Sequence, residues 1–287
     1  MPEGDVVWRT AARLHGALAG HRLLSAELRV PALATASLAG AHVAAVVAVG
    51  KHLLVRTDDG RTLHSHLRMD GSWHLYRPGT RWRGGPAHEV RVVLATGSSV
   101  AVGYRVHDLA LVPTAEEARL VGHLGPDVLT LAGLSGTART GWLGDAAVRL
   151  AATPTRGVAE ALLDQRGVAG LGLLYVTEAC FVAGVSPWTP VAEVARLPRL
   201  VGTAAAMLAA NTARTQQPTT GSARRGQEHW VFARTGRPCR RCGTRVAAGQ
   251  VGVPPRQRSV SYCPHCQPGP PPPPGLPRLA AGRRRAG

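Results

Sequence analysis

The chain has 287 residues, of which 45% are hydrophobic, and its 34 basic and 17 acidic residues give a formal net charge of +17. It contains no run of about 20 apolar residues, which argues against a membrane-spanning helix. Its acidic start, MPEGD, argues against a signal peptide, and its length suggests about two domains with buried cores.

The positive charge is concentrated in the C-terminal third. Residues 194–287 contain 16 arginines and one acid, Glu228, whereas residues 1–193 have a net charge of only +2. A compositional bias can explain the choice of Arg over Lys, but it does not easily explain the loss of acids from this third. A concentrated basic region favours a polyanionic partner, and nucleic acid in particular.

The N-terminal part is predicted to be a helix followed by strands. Apolar residues recur at helical spacing over 5–18, with Asp5 as a possible N-cap. Short apolar runs over 21–112, separated by Gly, Asp and Pro, predict several strands, and TDDGR at 57–61 predicts a hairpin turn. The regular spacing of these runs indicates a β-sandwich or a barrel.

From Thr114 onward the apolar spacing becomes helical, and a polar linker then leads to a small cysteine-containing module. The C-terminal segment is rich in Pro and Arg and is predicted to be disordered. The predicted divisions are a β-rich domain at 2–113, a helical domain at 114–211, a linker at 212–228, the cysteine module at 229–267 and the tail at 268–287.

Four of the five cysteines form two C-x₂-C pairs separated by 20 residues: Cys239, Cys242, Cys263 and Cys266. Two such pairs supply the four thiolates of a tetrahedral, structural Zn²⁺ site. A redox dithiol or two disulfides are the alternatives, and the recurrence of the pair at this spacing makes both less favoured. The fifth, Cys180, lies in an apolar helical segment and is predicted to be a core residue.

Two short strands are predicted between the cysteine pairs, with Arg256 and Arg258 near the turn that joins them. A hairpin that carries arginines at its tip is suited to the phosphate backbone of DNA. A solvated charged turn is the alternative, but seven further arginines surround this hairpin in sequence, with only one acid.

The N-terminus offers a possible nucleophile. If Met1 is removed, Pro2 has a free secondary amine, and an α-amino group has a pKa of about 8, so part of it is unprotonated near neutral pH. Such an amine can attack a sugar C1′ and form a Schiff base, and Glu3 can act as a general acid or base beside it. Many proteins begin in this way by chance.

Lys51 is the only lysine among the 34 basic residues. Arginine hardly titrates, whereas lysine can donate a proton and its pKa changes with burial. A surface lysine retained by chance is the alternative, and we favour a role in proton transfer.

Taken together, these residues resemble the formamidopyrimidine-DNA glycosylase / endonuclease VIII (Nei) family, and the endonuclease VIII-like branch in particular. The resemblance covers roughly residues 2–267. It depends on six blocks in the same order: MPEGDVVW at 1–8, GKHLLVR at 50–56, SHLRMDGSW at 65–73, LGPDVL at 124–129, LLDQRGVAGLG with the following Tyr and Glu at 162–178, and RSVSYCPHCQ at 258–267.

The resemblance implies an α+β multidomain fold, with an N-terminal β-sandwich and leading α-helix, a helix-two-turns-helix domain and a C-terminal zinc finger. It implies a DNA-repair enzyme that is both a glycosylase for oxidised bases, more often pyrimidines, and an abasic-site lyase. It further implies one structural Zn²⁺, damaged DNA as partner, a monomer and a bacterial cytoplasmic, nucleoid-associated location.

The resemblance also assigns roles to residues. Pro2 is the Schiff-base nucleophile, Glu3 protonates the sugar, Lys51 donates a proton in β-elimination, and Arg258 binds the lesion phosphates and assists δ-elimination. The loop that fills the space left by the flipped base contains Arg68, Met69 and Asp70, and Met69 is its apolar wedge. His123 falls where the family often has an arginine that contacts phosphate.

This sequence departs from the family pattern at several positions. Leu173 stands where an Asn usually binds a backbone phosphate, Arg68 where endonuclease VIII often has Gln, and the 20-residue finger spacing is a few residues longer than usual. These departures leave open a second hypothesis, a non-catalytic protein that binds damaged DNA. A generic zinc-ribbon factor is a third, but it gives Pro2, Glu3 and Lys51 no role.

Overall fold

A computed structural model describes residues 2–273, which form a β-sandwich, a helical domain and a small finger. The strands of the sandwich are β1 (Ser25–Leu28), β2 (Val43–Val49), β3 (His52–Thr57), β4 (Arg61–His66), β5 (Ser72–Tyr76), β6 (Val90–Ala95), β7 (Val100–Tyr104) and β8 (Asp108–Pro113). They form two antiparallel sheets, in the orders β1-β6-β7-β5 and β2-β3-β4-β8. The hairpin predicted at 57–61 joins β3 to β4.

Helix α1 (Gly4–Leu18) packs against the sandwich through the apolar face that its sequence predicts. The N-cap position is occupied by Glu3, so the prediction of Asp5 as N-cap was wrong. The physical reason is that Asp5 is fully buried in the first turn and accepts hydrogen bonds from Tyr175 and Gln217. Its carboxylate is therefore not free to cap the helix.

The helical domain contains α2 (Ala118–Val121), α3 (Gly136–Ala151), α4 (Val158–Leu163), α5 (Leu173–Ala183) and α6 (Leu197–Ala209). Eight of the eleven residues of α5 are buried, which makes it the central helix of this domain. The apolar spacing over 191–214 suggests a longer helix than α6, but Pro198 stands at the start of α6 and disfavours helical backbone before it. Among residues 2–273, no helix is both long and apolar enough to cross a membrane.

The cysteine module contains the two predicted strands, β9 (Ala247–Val251) and β10 (Arg258–Tyr262), paired antiparallel. Trp188 of the helical domain donates its indole N–H to the carbonyl of Gln250 at 2.8 Å. The start of the predicted tail, 268–273, lies against the helical domain, where Ser186 Oγ donates to Pro270 O at 2.7 Å. The rest of that tail, 274–287, lies outside the described residues. The predicted α+β multidomain architecture is confirmed.

One buried carboxylate joins the helical domain to the module. Glu178 of α5 is fully buried, and its Oε1 accepts the backbone N–H groups of Val231 at 2.8 Å and Phe232 at 2.7 Å. Its Oε2 accepts the N–H of Trp230 at 2.7 Å and the hydroxyl of Thr219. Hydrogen bonds to a charged acceptor are stronger than neutral ones, so Glu178 fixes the chain at the entrance to the finger.

We expect Glu178→Gln to destabilise this junction, because an amide nitrogen replaces one acceptor oxygen and the charge is lost. The loss should be roughly 1.5–3 kcal/mol, the range for a hydrogen bond to a charged group. Thermal unfolding and limited proteolysis within 212–228 measure it. Glu193→Gln, at an exposed position, is the matched control. Equal melting temperatures and cleavage rates for both variants and the wild type would contradict this role.

Candidate active site and nucleic-acid interface

Glu3 lies where the β-sandwich meets the helical domain. Its carboxylate accepts the N–H groups of Gly172 and Leu174, both at 2.9 Å, at the N-terminus of α5. The free N–H groups and the dipole at a helix N-terminus favour a negative charge. Burial raises the pKa of Glu3, although the charge of Lys51 and these hydrogen bonds act in the opposite direction.

Two glycines allow this close approach. A Cβ on Gly172 would lie 2.4 Å from Cδ of Glu3, so a side chain there would displace the carboxylate. The N–H of Gly4 donates to the carbonyl of Gly170 at 3.0 Å, and a Cβ on Gly4 would lie 3.0 Å from the same oxygen. The GLG motif therefore provides the space into which the N-terminus fits.

Lys51 lies in the turn between β2 and β3 and is half-buried. Burial lowers the pKa of Lys51, and the negative charge of Glu3 acts in the opposite direction. The two groups therefore attract each other when both are charged. The preceding Gly50 has φ +58, and its N–H donates to Asp127 Oδ2 at 2.6 Å. Because Asp127 also accepts the N–H of Leu129, the turn is fixed to the helical domain.

Three further predicted site residues lie around this pair. Pro2 directly precedes Glu3 and is half-buried, and Leu173 is the first residue of α5, also half-buried. Arg258 begins β10 and is exposed, and its charge contributes to the lowered pKa of Lys51. The structure thus brings the N-terminus, the β2–β3 turn, α5 and the finger hairpin to one place.

The loop with Arg68, Met69 and Asp70 lies between β4 and β5 and presents an apolar tip. Met69 is 68% exposed, and Arg68 has the left-handed φ of +50. On one side Arg68 forms an ion pair with Asp108. On the other, Arg105 Nε donates to the carbonyl of Asp70 at 3.0 Å. Both ends of the loop are held while Met69 projects from it.

The two remaining predicted contacts, His123 and Arg256, are exposed. His123 lies in the segment after α2, and its ring centroid is 6.2 Å from that of His52, the residue after Lys51. Arg256 lies in the turn between β9 and β10, two residues before Arg258. Neither belongs to the group around Glu3.

Comparison with known proteins identifies the family. The model for the formamidopyrimidine-DNA glycosylase N-terminal domain matches residues 1–108. The probable endonuclease 8 2 of Streptomyces coelicolor is 50% identical over 281 residues, which cover 96% of this chain and 97% of that one. The chain belongs to the formamidopyrimidine-DNA glycosylase / endonuclease VIII family. Its similarity to endonuclease 8 proteins places it in the endonuclease VIII-like branch, as predicted.

A second relative and a solved structure agree with this assignment. The protein named DNA-(apurinic or apyrimidinic site) lyase Nei2 from Mycolicibacterium smegmatis is 40% identical over 267 residues, covering 93% of this chain and 99% of that one. The crystal structure of Lactococcus lactis formamidopyrimidine-DNA glycosylase bound to DNA with an abasic site has a TM-score of 0.72. It is 21% identical and covers 93% of this chain and all of that one, which shows the shared fold.

In this family member, the four paired cysteines lie within 4.8 Å of one another and could hold a metal ion. The Sγ atoms of Cys239 and Cys266 are 3.9 Å apart, and those of Cys242 and Cys263 are 3.5 Å apart. Tetrahedral Zn–S bonds of about 2.3 Å place sulfurs roughly 3.8 Å apart. The backbone N–H of Arg241 also donates to Cys239 Sγ at 3.4 Å, which favours a thiolate. These residues fit a tetrahedral ion.

Sequence reasoning missed a buried polar network beside Glu3. Tyr175 Oη donates to Asp5 Oδ2 at 3.0 Å, and Gln217 Nε2 donates to both Asp5 oxygens at 3.0 Å. Asn211 Nδ2 in turn donates to Tyr175 Oη at 3.0 Å. Burial raises the pKa of Asp5, while the bonds from Gln217 and Tyr175 oppose it. The only sequence signal was an acid close to Glu3, because its partners lie 170 and 212 residues away.

We expect Gly172→Ala to displace the Glu3 carboxylate, because the new Cβ would lie 2.4 Å from its Cδ. If Glu3 takes part in catalysis, base excision should slow by at least about tenfold, equivalent to roughly 1.4 kcal/mol in the barrier. Single-turnover cleavage of lesion-containing DNA measures this. Gly16→Ala is the matched control, because it lies in α1 with nothing within 4 Å of its Cβ. Equal rates for both variants would show that Glu3 is not constrained in this way.

Proposed function

We propose that this protein removes oxidised bases from DNA, mainly pyrimidines, and cleaves the strand at the resulting abasic site by β,δ-elimination. It is then a bifunctional DNA N-glycosylase and abasic-site lyase of base-excision repair, as membership of the family implies. The observation that carries this proposal is that buried Glu3, which adjoins Pro2 in the chain, interacts electrostatically with the half-buried Lys51.

The first step uses the N-terminal amine. After Met1 is removed, the nitrogen of Pro2 attacks C1′ of the damaged nucleotide, and the base leaves with the electrons of the N-glycosidic bond. Glu3 protonates the sugar ring oxygen, and the ring opens to an iminium between C1′ and the Pro2 nitrogen. The raised pKa of Glu3 suits a proton donor. The nucleotide must leave the base stack first, because C1′ cannot be reached within the duplex.

Strand cleavage follows from the iminium. Its positive charge acidifies the C2′ hydrogen, and loss of that proton releases the 3′ phosphate in β-elimination. Lys51 donates a proton in this step, and its lowered pKa makes donation easier than from an ordinary lysine. Arg258 binds the lesion phosphates and assists the second elimination, which releases the 5′ phosphate.

The loop at 68–70 occupies the space left by the flipped base. Met69 replaces the stacked base with an apolar side chain, as wedge residues do in proteins that distort DNA. Arg68 and Asp70 hold the two sides of the loop through Asp108 and Arg105. This arrangement supports a role in stabilising the distorted duplex.

Backbone phosphates are bound mainly by the finger and by His123. Arg256 and Arg258 belong to a C-terminal third with a net charge of +15, which favours salt-dependent binding to DNA. Leu173 removes a phosphate contact that Asn would supply, at a cost of roughly 1.5–3 kcal/mol for a hydrogen bond to a charged group. We propose that the additional arginines compensate in part.

We propose that the four clustered cysteines bind one structural Zn²⁺. Four thiolates complete a tetrahedron and leave no position for substrate, so the ion would stabilise the fold of 229–267. Arg258 and Cys263 are the first residue of β10 and the residue after it, about 16 Å apart along an extended chain. Zinc would therefore support the hairpin at one end while Arg258 acts at the other. We propose domain boundaries at 2–113, 114–211 and 229–267, with a linker at 212–228.

We expect the protein to form a covalent adduct with abasic-site DNA that borohydride reduction makes permanent. Mass spectrometry should give the mass of residues 2–287 plus the DNA fragment, which tests Met1 removal and the nucleophile together. A residue added before Pro2 converts its amine to an amide and should abolish the adduct, and Pro2→Gly should reduce it strongly. Pro31→Gly, at an exposed position, should have no effect.

An adduct that survives the N-terminal extension would place the nucleophile on another residue. DNA binding without any adduct from a correctly processed chain would support the alternative, a non-catalytic paralogue that binds damaged DNA.

We expect Lys51→Arg to retain DNA binding, since the charge is kept, and to slow β-elimination at least about tenfold, since arginine does not act as a proton donor. In the wild type, Lys51 donates only while it is protonated, and its pKa is below the usual 10.5. Cleavage should therefore decline on the alkaline side at a lower pH than for an ordinary lysine. Rates of pre-formed abasic-site cleavage against pH measure this, and an unchanged rate and profile in Lys51→Arg would refute the assignment.

A further inference from the structure

Four histidines lie together next to Lys51: His52, His64, His66 and His123. His52 pairs with His66 across β3 and β4, and His64 is on the same face because side chains alternate along a strand. The ring centroid of His52 is 5.0 Å from those of His64 and His66, and 6.2 Å from that of His123. His123 comes from the segment that connects the sandwich to the helical domain.

The hydrogen bonds restrict how many protons this cluster holds. His52 Nδ1 and His64 Nε2 are 2.7 Å apart, so one ring donates and the other accepts. This pair can carry one extra proton but not two while the bond exists. His66 Nδ1 accepts the backbone N–H of Arg68 at 3.0 Å, so a proton there would break that bond. Proton uptake is therefore directed to the pair formed by His52 and His64.

The surroundings keep the cluster neutral in the free protein. Burial and the neighbouring histidines lower the pKa of His52 to about 3, and burial with the Arg68 charge lowers that of His66 to about 4. Burial also lowers the pKa of His64. The charged groups facing the cluster are Lys51, Arg68, Asp108, Arg56 and Glu117, and the latter four form two ion pairs. The imidazoles of His52, His64 and His66 are therefore uncharged near neutral pH.

An anion at the open side of the cluster would change this balance. His123 is exposed, His52 is half-buried and follows Lys51, and Arg68 belongs to the loop that carries Met69. This side therefore faces the groups that, by the proposed function, contact DNA. A phosphodiester within a few ångströms favours the charged form of an imidazole and raises its pKa.

We propose that His52, His64 and His123 form a phosphate site, at which binding of the DNA backbone is coupled to uptake of a proton by the His52–His64 pair. The inference rests on the proposed function and adds the proton as a second ligand of the same interface. Where many DNA-binding sites use a fixed arginine charge, this one gains its charge when the phosphate arrives. Binding is consequently regulated by pH.

Thermodynamic linkage between proton uptake and DNA binding fixes how the affinity changes with pH. The protonated cluster binds the phosphate more tightly, so affinity rises as pH falls through the pKa of the DNA-bound state. With one proton taken up, the dissociation constant falls by about tenfold per pH unit. The effect ends below the pKa of the free cluster, where both states are already protonated.

The test is calorimetry with the full chain and a duplex that carries a tetrahydrofuran abasic-site analogue, which cannot be cleaved. Titrations at about pH 5 in two buffers with different heats of ionisation give the number of protons taken up. We expect close to one proton for the wild type and for the control His21→Asn, an exposed histidine bonded to the carbonyl of Ala19. His52→Asn should abolish most of the uptake and weaken binding at about pH 5 roughly tenfold.

His123→Arg tests the same idea by gain of charge at an exposed position, where folding should not suffer. It should bind as tightly as the wild type or more tightly at about pH 8, with a flatter pH dependence and less proton uptake. This variant decides the question if His52→Asn does not fold. Wild-type binding without proton uptake, or undiminished uptake in both variants, would overturn the proposal.

The borohydride adduct, measured on the same preparations, separates this inference from the proposed function. An adduct without proton uptake on binding overturns only the titratable site. Proton uptake without an adduct upholds the site and overturns the catalytic proposal.

Discussion

The active site depends on keeping a carboxylate where water is excluded. Glu3 is 1% exposed, and burial of a charged group is costly unless hydrogen bonds and an opposite charge compensate. The N-terminus of α5 supplies two N–H groups and Lys51 supplies the charge. Because the compensation is incomplete, the pKa of Glu3 stays raised. The incomplete compensation that destabilises the carboxylate also suits Glu3 to its proposed role as a proton donor.

This requirement explains why the N-terminus is held by distant parts of the chain. Glu3 contacts the start of α5, and Asp5 contacts Tyr175 in the same helix and Gln217 in the segment that leads to the finger. Glu178, one turn further along α5, holds the entrance to the finger itself. A single buried helix therefore fixes the proposed nucleophile, its acid and the DNA-binding module relative to one another.

The order of elements, the β3–β4 hairpin, the β9–β10 hairpin and the cysteine cluster could all be predicted, because each follows from spacing within a short stretch of sequence. The partners of Asp5 and Glu178 could not, because they lie far away along the chain and give no local pattern. Asp5 was misread as a cap for the same reason: an acid in a first turn has the same local signature whether it faces solvent or the interior. The alternation of His64 and His66 on β4 was visible, but the approach of His123 required the fold.

The basic residues are of two kinds, arginines with a permanent charge and groups that can exchange a proton, and the two kinds lie in different parts of the structure. Arginine keeps its charge at any physiological pH, so the arginines of the finger and the C-terminal third can bind phosphates without proton exchange. The single lysine and four of the twelve histidines lie instead around the β3–β4 face. Burial lowers the pKa values of Lys51, His52, His64 and His66. In the proposed function, the fixed charge of the arginines supplies affinity, whereas the groups that exchange protons surround the proposed site of the chemistry.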